Sequence, residues 1–276
     1  MSNRQTLLAL HSLYPRPWPQ LQPLYTYLLS PTMIKPFLPE NFLRDWKRVE
    51  HFNFERYYHQ QQIRPITIFD SDYPSDWKEL HDPPAVVYAK GNLHHLRYPY
   101  IAIVGARKAS TYSERCINLL LPAIRERGYG ICSGMALGAD GMAHQAALSL
   151  PVPTVAILGN GFHFIYPKQH EKLFNKLCET DLVLTEYPPN APPMPHQFIA
   201  RNRLISGLSK AVVITEAAEK SGTMSTADFA IDAGKDVATF PGQVFSPLSM
   251  GPHLLIQQGA QLIQSTTDFR DFLDRI

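Results

Sequence analysis

From Tyr100 onward, short apolar runs alternate with amphipathic stretches. The runs Tyr100–Val104, Tyr129–Cys132, Thr154–Leu158, Leu182–Thr185, Ala211–Thr215 and Val237–Phe240 have the length and composition of buried strands. Between them the spacing predicts helices over Thr111–Arg127, Ala139–Ser149, Gln169–Cys178, Phe198–Leu208 and Thr223–Ala233. Thr111 followed by Glu114 reads as a capping box opening the first of these, and Pro122 inside it predicts a kink or an early stop. Pro252 after Gly251 opens a further helix towards Gln258. Compact apolar strands alternating with helices predict an α/β fold, a doubly wound, mostly parallel sheet covered on both faces.

Before Tyr100 the pattern differs. Leu7, Leu8, Leu10 and Leu13 line one side of a first short helix, and Phe42, Trp46, Val49 and Phe52 suit another. Of 24 prolines 12 precede Tyr100, several of them in Tyr14-Pro-Arg-Pro-Trp-Pro and between Pro31 and Pro39, so helices there are short and divided by turns. Residues 1–60 are expected to form a small all-helical domain, Gln60-Gln-Gln-Ile-Arg64 its exit, and residues 61–276 the α/β domain.

Composition narrows the class. Hydrophobic residues at 45% and charged residues at 18% of 276 exclude wholesale disorder. The least charged stretch, Gln145–Pro167, is broken by Pro151, Pro153, Gly159 and Gly161, so it predicts no membrane helix. The apolar run near the N-terminus is too short for a signal peptide. Cys116, Cys132 and Cys178 lie too far apart for a disulfide scaffold or a paired-cysteine zinc site. A reduced, cytoplasmic protein is expected. The net charge is +2, with 11 basic against 9 acidic residues over 1–98 and 15 against 15 over 99–276, so any basic site must be gathered by folding.

In a doubly wound sheet, ligands bind outside the carboxyl ends of the strands. The first such loop is Val104-Gly-Ala-Arg-Lys-Ala-Ser110, where Gly105 permits close backbone approach, the next helix offers N–H groups and Arg107 adds a forked cation. An anion suits it; tight turning alone also explains its small residues. Ser133-Gly-Met-Ala-Leu-Gly-Ala-Asp140 is a second bend, leading into a helix with His144, which reads as a packing residue. The third, Leu158-Gly-Asn-Gly161, runs on to Tyr166-Pro-Lys168. It lacks the third glycine and downstream acid of a dinucleotide fingerprint, and no GxxxxGK[ST] is present. Phe198-Ile-Ala-Arg-Asn-Arg-Leu-Ile-Ser206 sets Arg201, Asn202 and Arg203 beside an aromatic face, the combination single-stranded bases and phosphates require. The plainer reading has each arginine bracing Glu186 or Glu216. In Glu216-Ala-Ala-Glu-Lys-Ser-Gly-Thr223, Ser221, Gly222 and Thr223 either hold an anion or cap a helix.

No GxSxG or HExxH occurs, and His163 and His170 lack a third ligand, so neither a nucleophile–base pair nor a metal site is predicted. No cofactor is expected. Anion-friendly loops without a reactive group favour binding over catalysis. The enzyme alternative, a Rossmann-type nucleotide phosphoribohydrolase, carries PGGxGTxxE after a central strand. Here the stretch Ala218–Thr226 lacks the glycine pair and the glutamate, leaving Asp140, Glu186 or Glu216 to supply a carboxylate.

These motifs, in this order, resemble the DNA-processing protein A family (DprA, also called Smf). The resemblance runs from about Arg64 to the C-terminus. It starts with Ile68-Phe-Asp-Ser-Asp-Tyr-Pro74, Asp82-Pro-Pro-Ala-Val-Val-Tyr88 and Lys90-Gly-Asn92, then takes in the three glycine loops with Ala143-His144 and Tyr166-Pro167. Its most specific part is Glu186-Tyr-Pro-Pro189, Phe198, Arg201-Asn-Arg203, Glu216-Ala217, Ser221-Gly222, Thr226-Ala227, Pro241-Gly242 and Gly251 to Ala260. It implies an extended Rossmann-like domain that binds single-stranded DNA without catalysis. Such proteins act as homodimers in natural transformation, load the recombinase RecA onto incoming strands and help it displace single-strand-binding protein. The resemblance places the family's pocket arginine on Arg107 and its lysine on Lys168, and likens the N-terminal helices to a sterile-alpha-motif-like extension. It assigns His253, Ile256 and Leu262 to the dimerisation and RecA-facing surface, though helix packing alone also explains these apolar residues. Ser113 stands where a glycine is usual, Ala139 where isoleucine is common, and His163 and His170 where aspartate and asparagine are typical; no role is carried over to either histidine.

Overall fold

The computed structural model describes residues 2–30 and 38–276; residues 31–37 of the proline-bearing stretch lie outside them. The chain divides into a unit of Met1–Lys90, Asn160–Phe164 and Leu184–Pro192, and a larger one of Gly91–Gly159, Ile165–Val183 and Pro193–Ile276.

In the smaller unit, the Ser2 hydroxyl accepts from the Gln5 N–H at 3.2 Å and opens α1 (Asn3–Leu13). Leu7, Leu8 and Leu10 on that helix are fully buried, as their spacing predicts, while Leu13 is half-buried. The helices α2 (Trp18–Leu29), α3 (Phe42–Val49) and α4 (Phe54–Gln60) follow, each short, as the prolines demand. Of the second apolar set only Phe42 is buried; Phe52 lies beyond α3 and is exposed. Next come β1 (Arg64–Thr67), α5 (Ser75–Lys78) and β2 (Val86–Gly91), with β1 antiparallel to β2. The pattern did not predict these strands: β1 has four residues with a proline among them, too few to display an alternation. The contact unit runs on through this pair, so the boundary that composition marks near residue 60 falls inside it.

The larger unit carries β3 (Tyr100–Val104), α6 (Thr111–Glu126), β4 (Gly130–Ser133), α7 (Ala139–Ser149), β5 (Thr154–Leu158), α8 (Glu171–Thr180) and the first half of β6 (Leu182–Thr185), whose Leu184 and Thr185 fall in the smaller unit. It continues through α9 (Pro195–Leu208), β7 (Ser209–Ile214), α10 (Gly222–Asp232), β8 (Asp236–Thr239), α11 (Met250–Gln257), β9 (Gln261–Leu262) and α12 (Thr266–Leu273). Its strands lie in the order β6-β5-β4-β3-β7-β8-β9. The pairs β3–β4, β3–β7, β4–β5, β7–β8 and β8–β9 are all parallel. The chain thus winds outward from β3 in one direction, then returns to lay β7 on its other side. That makes the β3/β7 boundary the topological switch point, where a crevice opens above the strand ends. Among the described residues no helix is long and apolar enough to cross a membrane.

Helix α6 shows what holds a helix to this sheet. Ile117, Leu120, Leu121 and Ile124 recur at helical spacing and are buried with Ile101, Ile103, Ile131 and Val213. Each such side chain contributes about 1.5–3 kcal/mol by leaving water. The early stop expected at Pro122 does not occur. Pro122 and Asn118, whose carbonyl loses its partner, are both exposed, so water can serve that oxygen while the apolar face keeps the helix on the sheet. The cap also differs from expectation. Ser110, rather than a Thr111–Glu114 box, opens α6, its hydroxyl accepting from the Tyr112 N–H at 3.1 Å.

Each unit encloses one histidine. His11 Nδ1 lies 3.1 Å from the Tyr88 hydroxyl in the smaller unit, and His144 Nδ1 lies 2.8 Å from Thr154 Oγ1 in the larger. Burial lowers both pKa values to about 3; around His144, His170 and Arg201 add to the effect. Below pH 6.5 the unfolded chain binds these protons and the folded chain does not, so stability is lost as pH falls from about 6.5 towards 3. Each histidine should contribute a slope of about 1.4 kcal/mol per pH unit in that window. Urea melts from pH 7 to 4 should show this loss, with the slope shallower by about that amount in His144→Gln. An unchanged slope would mean that His144 protonates in place.

Gly138, just before α7, has φ +74°, and a Cβ there would overlap the carbonyl oxygens of Ala106 and Arg107. Gly138→Ala should therefore lower stability by roughly 2 kcal/mol, read as a shift of the urea midpoint. A neutral result would show that the loop relaxes freely.

Candidate nucleic-acid interface

Above the switch point, the loops after β3, β4 and β7 and the first turns of α9 wall an open cavity of about 570 Å³. Of the residues singled out from sequence, Gly105, Arg107, Phe198, Arg201, Asn202, Ser221 and Gly222 line it. Six separate stretches, far apart in the chain, thus converge as the glycine loops foreshadow.

The wall is held by buried polar bonds. Arg201 is only 5% exposed, and its Nη1 donates to the carbonyl oxygens of Gly134, at 2.6 Å, and Ile157. Its guanidinium occupies the space a side chain at Gly134 would fill, so a glycine must follow β4 there. Asn202 Oδ1 accepts from Arg201 Nε at 3.2 Å, while Asn202 Nδ2 donates to the Gly222 carbonyl and to Ser225 Oγ, both at 3.0 Å. These two residues fasten α9 to the ends of β4 and β5 and to the start of α10. The dense cationic edge expected of Arg201 and Arg203 is not what forms. Arg203 is buried, does not line the cavity, and places Nη1 3.4 Å from the Ala200 carbonyl.

Arg107 is different. It is exposed, and its Cζ sits 5.8 Å from the centre of the Phe198 ring. Tyr166 packs on the same ring, centroid to centroid 5.1 Å, and is 45% exposed. The result is a cation and two aromatic faces along one side of the cavity. Sequence reasoning used Tyr166 only as a marker for Lys168, yet Tyr166 lines the cavity, whereas Lys168, exposed at the start of a short 3₁₀ turn, does not.

The N-termini of α6, next to the Arg107 loop, and of α10 have opposite fates. At α6, the carboxylate of Glu216 accepts from the Ser110 N–H and hydroxyl, both at 2.8 Å, and Ser113 Oγ lies 2.8 Å from it as well. The donors expected there for an anion already hold a protein carboxylate, which repels phosphate. The unusual Ser113 belongs to this arrangement. At α10 no side chain caps the helix, and the Ser221 hydroxyl is buried without a partner. Thr223 Oγ1 donates to the Gly105 carbonyl at 2.9 Å, tying the two loops together. Of these two, the terminus left without a carboxylate is that of α10.

One carboxylate, missed as a binding residue, also lines the cavity. Asp140 is 5% exposed, and its Oδ2 accepts from the N–H groups of Gly134 at 3.1 Å and Ala136 at 3.4 Å. Burial pushes its pKa up; Arg201, these two N–H groups and Arg107 pull it back. His170 Nδ1 lies 3.0 Å from the Met135 carbonyl, and His163 Nε2 lies 2.6 Å from Gln61 Oε1, so both histidines bond to the protein itself. Among the described residues no group of three or more His, Cys, Asp or Glu side chains is placed to hold a metal.

The surface assigned to partners lies elsewhere in the larger unit. His253 Nε2 is 3.1 Å from the Gly242 carbonyl, Ile256 is half-buried on α11, and Leu262 is half-buried on β9, the last strand in the order.

Residues 64–274 match the family model described as DNA recombination-mediator protein A. The DNA processing protein DprA of Bacillus subtilis is 39% identical over 212 residues, 76% of this chain and 71% of that protein. Protein Smf of Escherichia coli is 42% identical over 192 residues, 69% of this chain and 51% of that one. The X-ray structure of DNA processing protein A from Streptococcus pneumoniae superposes with a TM-score of 0.83 at 31% identity, covering 97% of this chain and 96% of its own. DNA processing protein A from Helicobacter pylori, described for its single-stranded DNA binding mode, gives 0.70 at 32% identity over 78% of this chain and 96% of its own. The matched model spans most of the sequence, and the chain belongs to the DNA recombination-mediator protein A family.

Proposed function

We propose that the chain is a single-stranded DNA-binding recombination mediator that loads RecA onto incoming strands in natural transformation. One observation carries the reading. Arg107, the Phe198–Tyr166 aromatic pair and the uncapped N-terminus of α10 face one open cavity at the switch point. A flexible strand with its bases splayed needs those three features together, a cation for phosphate, π-faces for bases and backbone donors. The Helicobacter pylori relative supports it as a protein with a single-stranded DNA binding mode. In this reading Arg107 and the N–H of Gly222 contact phosphate, Phe198 stacks, Lys168 extends the track beyond the cavity, and Arg201, Asn202 and Arg203 hold the wall. A phosphoribohydrolase reading is less favoured: the stretch Ala218–Thr226 lacks its glycine pair and glutamate, and of the other carboxylates Glu216 is already bonded by Ser110 and Ser113 while Asp140 is buried and accepts from the Gly134 and Ala136 N–H groups.

The protein acts as a homodimer, with His253, Ile256 and Leu262 on the surface shared by self-association and RecA, and it competes with single-strand-binding protein for the same DNA. Dimerisation sets two grooves on one strand and raises avidity.

Anisotropy titrations of single- and double-stranded oligonucleotides across about 50–200 mM salt test the DNA reading. Single strands should bind more tightly, and Arg107→Glu should weaken them about tenfold or more while lowering the log–log salt slope by about 0.7–1.5. Equal affinity for both forms, or an unchanged variant, would remove the cavity from DNA binding. For the dimer, Ile256→Glu with Leu262→Glu should halve the mass seen by light scattering; a mass that stays put assigns these residues to packing alone.

A further inference from the structure

We propose that the outer face of α8 is a phosphate track that carries the single strand away from the cavity, with Lys172 and Lys176 as its contacts; this rests on the single-strand reading above. Tyr166 lines the cavity, and two residues on the exposed Lys168 opens the 3₁₀ turn that leads into α8. Along α8, Leu173, Phe174 and Leu177 are buried, which fixes the side of the helix that meets the protein. Lys172 and Lys176 are four residues apart, so they share a face, and both are exposed. The cations thus start at the cavity rim and continue along a helix of ten residues, about 15 Å in length.

Two carboxylates on the same helix oppose this charge only weakly. Glu171 is the immediate neighbour of Lys172, and adjacent helical residues do not face each other. Glu179 lies at the far end, its Oε2 3.7 Å from Lys176 Nζ, with both side chains more than half exposed. A pair so open to water contributes little and yields to a stronger partner. The two lysines stand about 6 Å apart along the axis, with no aromatic between them. Such a row suits a backbone rather than bases, since each ammonium is a point charge that meets a phosphate in any sequence. A protein partner is the poorer match, because the row offers no apolar anchor. A single strand can turn from the cavity onto the helix, whereas a duplex, stiff over about 150 base pairs, cannot follow it.

Lys172→Glu with Lys176→Glu alters an exposed face and leaves the cavity lining intact, so the urea midpoint should stay put. The probes are thymidylate strands of about 4 and about 20 nucleotides, the shorter one confined to the cavity. The double variant should bind the short strand as the wild type does and the long strand about tenfold more weakly, with a log–log salt slope smaller by about 1.4. In the wild type the slope should itself rise by at least about 1.4 from the short strand to the long one, a comparison that needs no variant. An unchanged long-strand affinity in the variant, or a wild-type slope that ignores length, makes the row a solvated helix face and overturns the track while single-strand binding stands. So does an equal loss on both lengths. A comparable loss from Arg125→Glu, at the end of α6 far from the Arg107 loop, would assign the effect to net charge and overturn the track as well. No binding of the long strand to the wild type overturns the functional reading and this inference together.

Discussion

The site depends on a guanidinium held inside the protein. Arg201 is almost fully buried, and an ion taken out of water carries a penalty of several kcal/mol unless its donors are met. Here the carbonyl oxygens that end β4 and β5 accept from it, and the buried Asp140 lies close enough for their charges to interact. Because those partners belong to three different segments, the arginine can be satisfied only when β4, β5 and α9 are in register. Its neighbour Asn202 extends the same bond network to the start of α10. Phe198, one turn earlier on α9, is thereby fixed where Arg107 and Tyr166 meet it. A cation that looks like a DNA contact in the sequence instead builds the wall of the cavity.

The distribution of charge within the cavity follows from which helix ends are already satisfied. Glu216 closes the N-terminus of α6, and the carboxylate neutralises the field that the helix would otherwise offer an anion. No carboxylate does this at α10. The cavity is therefore not a uniformly positive bowl. Arg107 and the α10 terminus lie on its wall, and Asp140 sets a negative acceptor there too.

The central strands β3, β5 and β6 and the helix α7 were legible to the residue, because fully buried segments have continuous apolar runs or a clean periodicity. Edges were less legible. The strands β1 and β9 are too short to display a pattern, and α9 begins three residues before its apolar signal, at Pro195 with Gln197 bonding back to the Met194 N–H. Helix α6 outlasted Pro122 because tertiary burial of Ile117, Leu120, Leu121 and Ile124 outweighs one lost backbone bond. The candidate site divided in the same manner. The glycine loops and Arg107 could be found from sequence, since strand-end loops are where such folds bind. Tyr166 could not, since a tyrosine at its spacing implies no cavity, and Asp140 was legible only as a carboxylate without a place in the site.

The order of apolar segments, the glycine-rich bends after them and the family motifs determined the α/β class, the end of the sheet that carries the site and the kind of ligand to expect. Those are local properties, written in a few consecutive residues each. Which of the cations reaches solvent and which is buried was decided by the tertiary structure alone. Arg107 and Arg201 have the same chemistry in the sequence. Only their surroundings, an open rim beside Phe198 for one and the carbonyls of Gly134 and Ile157 for the other, separate an exposed cation from a structural tie. Burial and hydrogen-bond satisfaction arise from residues distant in the chain, and no short window of sequence contains them.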